Sequence, residues 1–230
     1  MIDPARYAIY YMPAVTHPLW HFGSRVLGYD AFSPEAPPAP FHDLSGIAPP
    51  SAFSEPSIYG FHATLKAPFR LVDTADVDEL LSAAQTIATR ERPFGIGRLE
   101  VARLQRFIAL IPARRSDALH EFADRCVRGF DLLRAPLSAA DRARRLAAPL
   151  SPAEITHLDR WGYPYVFERF QFHMTLSGPL AADTIQPLHA ALTELYVPID
   201  AELTIDGFAV FKQAAHNQRF QVLHRFAFGS

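Results

Sequence analysis

The apolar and polar positions near the start of the chain fall into short, readable runs. Arg6 to Met12, RYAIYYM, is apolar and rich in aromatic residues and stops at Pro13, which predicts a strand. HPLWHFGSRVLG predicts a short helix opening near Pro18. From Ala31 to Pro56 prolines recur (SPEAPPAPF, IAPPSAFSEP), so this segment is expected to be a long surface loop without regular structure, residues 31–56. It leads straight into YGFHATLKAPF, Tyr59 to Phe69, which makes it a candidate lid. In a strand, Phe61, Ala63, Leu65 and Ala67 share one face while His62, Thr64 and Lys66 share the other. One face belongs to the core, and the polar one should look at something.

Further along, DTADVDELLSAAQTIATR carries Val77, Leu80, Leu81, Ala84 and Ile87 on one side and acidic residues at its start, as an amphipathic helix does. FGIGRLEVAR and RFIALIPA predict two strands. SDALHEFADRCVRGF predicts a helix that buries Cys126, and LSAADRARRLAA and SPAEITHLDRWG predict short helices with Ser or Asp near their starts. YVFERFQFHMTLSGPL is expected to be a strand over about 167–179, DTIQPLHAALTELY a helix, and the last segment a hairpin turning near His216 and Asn217. Strand, helix, strand, strand thus occurs twice, which predicts an α+β fold of two similar halves.

Composition narrows the classes. At 230 residues the chain can bury a sizeable core, and 22 basic against 24 acidic residues give a net charge of -2, so no global basic field draws it to nucleic acid or membranes. Any anion must be held locally. Lysine occurs only at 66 and 212, which makes Lys66 beside His62 conspicuous. No apolar run is long enough to span a membrane and MIDPARYAIYY lacks the marks of a signal peptide, so a cytoplasmic location is expected. The single cysteine excludes an intramolecular disulfide framework.

The polar face of the first strand returns. FHATLKAP at Phe61 to Pro68 reappears as FHMTLSGP at Phe172 to Pro179, identical at five of eight positions, with His62 and His173 separated by 173 - 62 = 111 residues. Ten His and ten Thr in this chain would give about 0.4 His-x-Thr triplets by chance, and it holds two, both preceded by Phe and followed by Leu. In the second copy His173, Thr175 and Ser177 share a face. Two halves related by a rough twofold would bring both polar faces to one cleft. An imidazole can take a proton near neutral pH while a second donates one, and threonine hydroxyls can hold the oxygens of a tetrahedral anion between them. In-line displacement at phosphorus needs these groups and no metal.

These motifs resemble those of the 2H phosphoesterase superfamily, named for two His-x-Thr or His-x-Ser motifs on facing strands of a bilobal fold. RYAIYYMP, LWHFG, YGFHATLKAPF, RAPLS and RWGYPYV further resemble the branch associated with bacterial phosphonate-utilisation operons. The resemblance implies one bilobal domain over residues 1–230, with two pseudo-twofold-related antiparallel sheets, outer helices and a central cleft. It implies a metal-independent phosphodiesterase with no cofactor, acting on a small cyclic phosphodiester, with His62, Thr64, His173 and Thr175 as its catalytic residues. Lys66, Ser177, Tyr11, Tyr59 and Tyr165 are candidate substrate-binding residues, and Tyr163 is a further tyrosine able to wall a sugar or base. A pseudosymmetric pair does not say which histidine is base and which is acid, nor does the sequence give an oligomeric state.

Three other readings compete. A non-catalytic module could grip a phosphorylated ligand on the same fold, although arginine serves simple phosphate binding more stably than histidine. An RNA-end cyclic phosphodiesterase is a second, disfavoured by the net charge and by the lack of aromatic residues within a basic stripe. A metallohydrolase is the third: His17 and His21 are four residues apart, yet there is no H-E-x-x-H, just as there is no P-loop and no G-x-S-x-G.

Overall fold

The computed structural model describes residues 5–229, so Met1 to Pro4, part of the stretch read for a targeting signal, and Ser230 lie outside the described residues. In chain order the elements are β1 (Arg6–Tyr11), α1 (Pro18–Leu27), α2 (Ser51–Tyr59), β2 (Ala63–Phe69), α3 (Val77–Arg90), β3 (Phe94–Leu104), β4 (Phe107–Pro112) and α4 (Asp117–Gly129). They continue with α5 (Ala139–Leu146), α6 (Pro152–Trp161), β5 (Met174–Thr175), α7 (Ala182–Tyr196), β6 (Glu202–Ile205), β7 (Gly207–Gln213) and β8 (Gln221–Ala227). The fold is α+β.

Local chemistry explains most of these boundaries. Asp76 caps α3 in a reciprocal box with Glu79, and Ser151 does the same for α6 with Glu154. Ser116 and Ser138 cap α4 and α5 with their side chains. Leu119, Phe122, Ala123, Cys126 and Val127 form the buried stripe of α4, as the spacing predicts.

All strand pairings are antiparallel, in the order β6-β3-β4-β5-β2-β1-β7-β8. The order is mirrored about the β5–β2 junction: four strands lie on each side, and the two His-x-Thr strands are the inner pair. The halves therefore join in one ladder, touching through the single register pair Ala63 and Met174. The helices follow this symmetry in part: α3, which follows β2, covers β7 and β8, while α7, which follows β5, covers β3, the counterpart of β7, and β4. Only Asp206 separates β6 from β7, yet these strands are six places apart in the order. The sheet must therefore curl until its two ends approach each other. No described helix is long and apolar enough to cross a membrane.

Two expectations need correction. Residues 51–59 of the proline-rich segment form α2, and 42–44 form a 3-10 turn, so the segment is not without regular structure. Pro56 is tolerated inside α2 because its missing N–H leaves the Ala52 carbonyl open, and Gly178 N–H donates to that oxygen across 2.6 Å. The second correction is β5, expected over about 167–179 but regular only at Met174–Thr175. Its ladder is irregular because Leu176 and Ser177 both donate to the Ile108 carbonyl while the Ser177 hydroxyl accepts from Ile108 N–H at 3.0 Å.

Candidate functional site

The register at the junction sets the geometry. With Ala63 opposite Met174 in an antiparallel pair, His62 lies opposite Thr175 and Thr64 opposite His173. All four side chains emerge on the same face, and all four are partly exposed, while Ala63 and Met174 behind them are fully buried. The two histidines stand on the diagonal, where backbones are roughly 7–8 Å apart and side chains can reach one group from two sides.

Each imidazole is oriented in the same way. His62 Nδ1 lies 2.9 Å from the Gly60 carbonyl and His173 Nδ1 lies 2.9 Å from the Gln171 carbonyl, in both cases two residues back in the chain. A carbonyl only accepts, so Nδ1 carries the proton and donates, which leaves Nε2 with its lone pair. The Thr64 hydroxyl sits 3.3 Å from His62 Nε2, long for an O–H donor, a weak contact that an anion could replace.

Aromatic walls fix His62 further. The Tyr10 ring stacks on it at 3.7 Å between centroids and an angle of 21°, and Tyr59 and Phe211 each lie 6.3 Å away. Burial pushes the His62 pKa down to about 4; the bond to Gly60 works against that shift and His173 adds to it. The ring is neutral at physiological pH. Behind it, Phe61 packs so tightly on α1 that a Cβ at Gly23 would sit 2.1 Å from the Phe61 ring. Gly60, at φ 76°, has the left-handed backbone that aims its carbonyl at Nδ1.

The other expected residues fall in different places. Lys66 does not share the face of His62. Tyr10 pairs with Thr64 and Ile9 with Lys66, so Leu65 is an extra, bulged residue that turns Lys66 to the side of Ile9 and α4. There it is buried, donating to Val127 O at 2.8 Å and pairing with Asp131 at 3.3 Å. Burial drags its pKa down to about 8, with Asp131 opposing. Ser177 is fully buried and holds the β4–β5 ladder. Tyr11 lies on the core face against Phe172, at 5.7 Å. Tyr59 does border His62. Tyr165 is exposed and meets Tyr163 edge to face at 5.5 Å.

Sequence reasoning passed over Tyr10, Phe211 and the two carbonyls. Every residue of Ala8 to Met12 is buried, so nothing in that run shows which tyrosine shares the face of the histidines; only the register does. Backbone acceptors have no residue code. Among the described residues, no group of three or more His, Cys, Asp or Glu side chains is placed to hold a metal.

Residues 64–221 match the family profile described as Protein of unknown function (DUF1045). The chain belongs to this family. It is 36% identical over 216 residues to ribose 1,5-bisphosphate phosphokinase PhnN of Janthinobacterium sp. (strain Marseille), covering 90% of this chain and 47% of that protein. The same-named protein of Laribacter hongkongensis (strain HLHK9) is 35% identical over 177 residues, covering 76% of this chain and 40% of its own length. The DUF1045 chain thus spans about half the length of the curated relatives it matches, or less.

Three solved structures are similar to it in outline. A protein described only as a phosphoesterase is 14% identical, covers 100% of both chains and has a TM-score of 0.43. E. coli LigT complexed with 3'-AMP is 13% identical over 99% of this chain and 100% of that one, with a TM-score of 0.45. TT0787 of Thermus thermophilus is 15% identical over 98% of each chain, also with a TM-score of 0.45.

Proposed function

We propose that this DUF1045 chain is a metal-independent, 2H-type phosphodiesterase that opens a small cyclic phosphodiester. The observation that carries this reading is the mirrored pair of imidazoles, each with Nδ1 tied to the carbonyl two residues back and Nε2 left open on one shared face. His62, kept neutral by burial, is the general base. His173, the other member of the pair, is then the general acid.

Water attacks phosphorus in line with the ring oxygen that will leave, and His62 Nε2 takes the water proton as the P–O bond forms. The P–O bond to the sugar breaks, and His173, which enters the step as the imidazolium with Nδ1 still bonded to the Gln171 carbonyl, gives its Nε2 proton to the departing oxygen, leaving a phosphate monoester beside a free hydroxyl. Thr64 and Thr175 donate to the non-bridging oxygens, where negative charge builds in the transition state. Each positioned proton transfer is worth about 10² to 10⁴ in rate.

The name of the curated relatives supports a sugar phosphate as substrate, since ribose 1,5-bisphosphate is a ribose phosphorylated at two ends. Their phosphokinase chemistry is not proposed for this chain, which has no G-x-x-x-x-G-K-[ST]. A place in phosphonate metabolism is supported by the motif resemblance and is part of the same proposal. The test is turnover of 2',3'-cyclic nucleotides and cyclic ribose phosphates in excess EDTA, with products followed by phosphorus NMR. Conversion of at least one to a monoester is expected. If all stay intact while one still binds saturably, the chain is a binding module and the catalytic reading falls.

A further inference from the structure

Arg145 has no part in the two-histidine site as described, yet its surroundings are unusual. It projects from the last turn of α5, half-buried, with its guanidinium carbon 5.1 Å from the centre of the Tyr163 ring. Its Nε is enclosed and makes no hydrogen bond. An enclosed donor of this kind is rare unless something supplies an acceptor.

Arg145 borders a cleft of about 40 Å³ at the far ends of β1 and β2. The volume would admit about three waters at roughly 10–15 Å³ each, which suits a phosphoryl group better than a nucleobase. Six cationic side chains border it against one carboxylate, Asp141. Asp141 pairs with Arg70 and Arg144, and Asp131 pairs with Lys66 and Arg134. Among the described residues this leaves Arg6 and Arg145 with no carboxylate; Arg6 instead donates to the neutral amide of Gln213. Two guanidinium groups on the cleft, Arg6 and Arg145, thus make no ion pair among the described residues, and Asp141 acts on Arg145 only at longer range.

Strand β1 runs between the cleft and His62, supplying Arg6 to one and Tyr10 to the other. Arg6 is four residues from Tyr10 on the same strand face, about 13 Å along β1, a distance that the reach of an arginine side chain shortens. Tyr10 stacks on His62, and both Arg6 and Arg145 act electrostatically on the Tyr10 hydroxyl. Arg145 also couples to Tyr59, which borders His62 from another side. Arginine presents a planar fork of donors that matches phosphate oxygens.

We propose that the cleft bordered by Arg145 and Arg6 binds a second phosphate monoester carried by the substrate, so that the preferred substrate is a small cyclic phosphodiester with a remote phosphate. The proposal rests on the two-histidine reading and names its substrate class. Losing a hydrogen bond to a charged group typically weakens binding by about 10- to 100-fold.

The test compares kcat/KM for adenosine 2',3'-cyclic phosphate with and without a 5'-phosphate. Wild type should prefer the 5'-phosphorylated compound by about 10- to 100-fold, and the ratio should fall toward one in Arg145→Gln and in Arg6→Gln. Arg145→Lys, which keeps the charge without the fork, should fall between. A wild-type ratio near one overturns the proposal. Calorimetry separates the two readings: ribose 5-phosphate, and not ribose, should bind a His62→Ala/His173→Ala protein, and adding Arg145→Gln should abolish that binding. Arg145-dependent binding of ribose 5-phosphate without turnover of either nucleotide would sink the phosphodiesterase and leave the anion site standing. Turnover without discrimination sinks the substrate assignment, and if inorganic phosphate then binds in an Arg145-dependent way, the occupant is a separate anion.

Discussion

His62 is held by three kinds of contact: a stack on Tyr10, a bond from Nδ1 to Gly60, and a weak approach of Thr64 to Nε2. Their joint effect on protonation can be measured. Burial places the folded-state pKa at about 4, below the unfolded value near 6.5, so between those pH values the unfolded chain binds more protons. Stability must therefore fall as pH drops through that window, by an amount on the order of 3 kcal/mol from this residue. Urea unfolding of wild type and His62→Gln at pH 7 and pH 4.5 should show a smaller acid loss in the variant; parallel losses would mean the ring is not held neutral. The two motifs were legible because they repeat, whereas Tyr10 was not, because its strand is apolar on both faces. Lys66 was misplaced for a related reason: a β-bulge has no fixed residue code, and one inserted residue reverses a face.

At the scale of elements, the helices and most strands follow from caps and periodicity, while β5 and α2 do not. Both exceptions arise where side chains and prolines take over backbone bonds. Ser177 replaces a ladder acceptor for Ile108, and Pro56 leaves Ala52 free to receive Gly178. These two bonds tie the His173 segment to β4 on one side and to α2, which leads to His62, on the other. Ser177→Ala leaves the buried Ile108 N–H unpaired, at a cost of about 1–3 kcal/mol. The variant should melt below wild type and lose turnover through displacement of His173. An unchanged melting temperature would show that Ile108 has found another acceptor.

Across the whole molecule, the strand order is mirrored about the junction of β5 and β2, and this explains why a fragment repeated 111 residues apart becomes one site. The strand order divides into two sets of four, joined edge to edge in one curled sheet. The repeat made this symmetry legible from sequence; the direct pairing of the two motif strands depends on long-range register and was not. On the two-histidine reading proposed above, each half contributes one imidazole, so both histidines should matter to a similar degree. The decisive measurement is turnover of the best cyclic phosphodiester in excess EDTA by wild type, His62→Ala and His173→Ala. Removing one positioned proton transfer should lower kcat by about 10² to 10⁴ in each variant. If either variant keeps the wild-type rate, the two-histidine account is wrong.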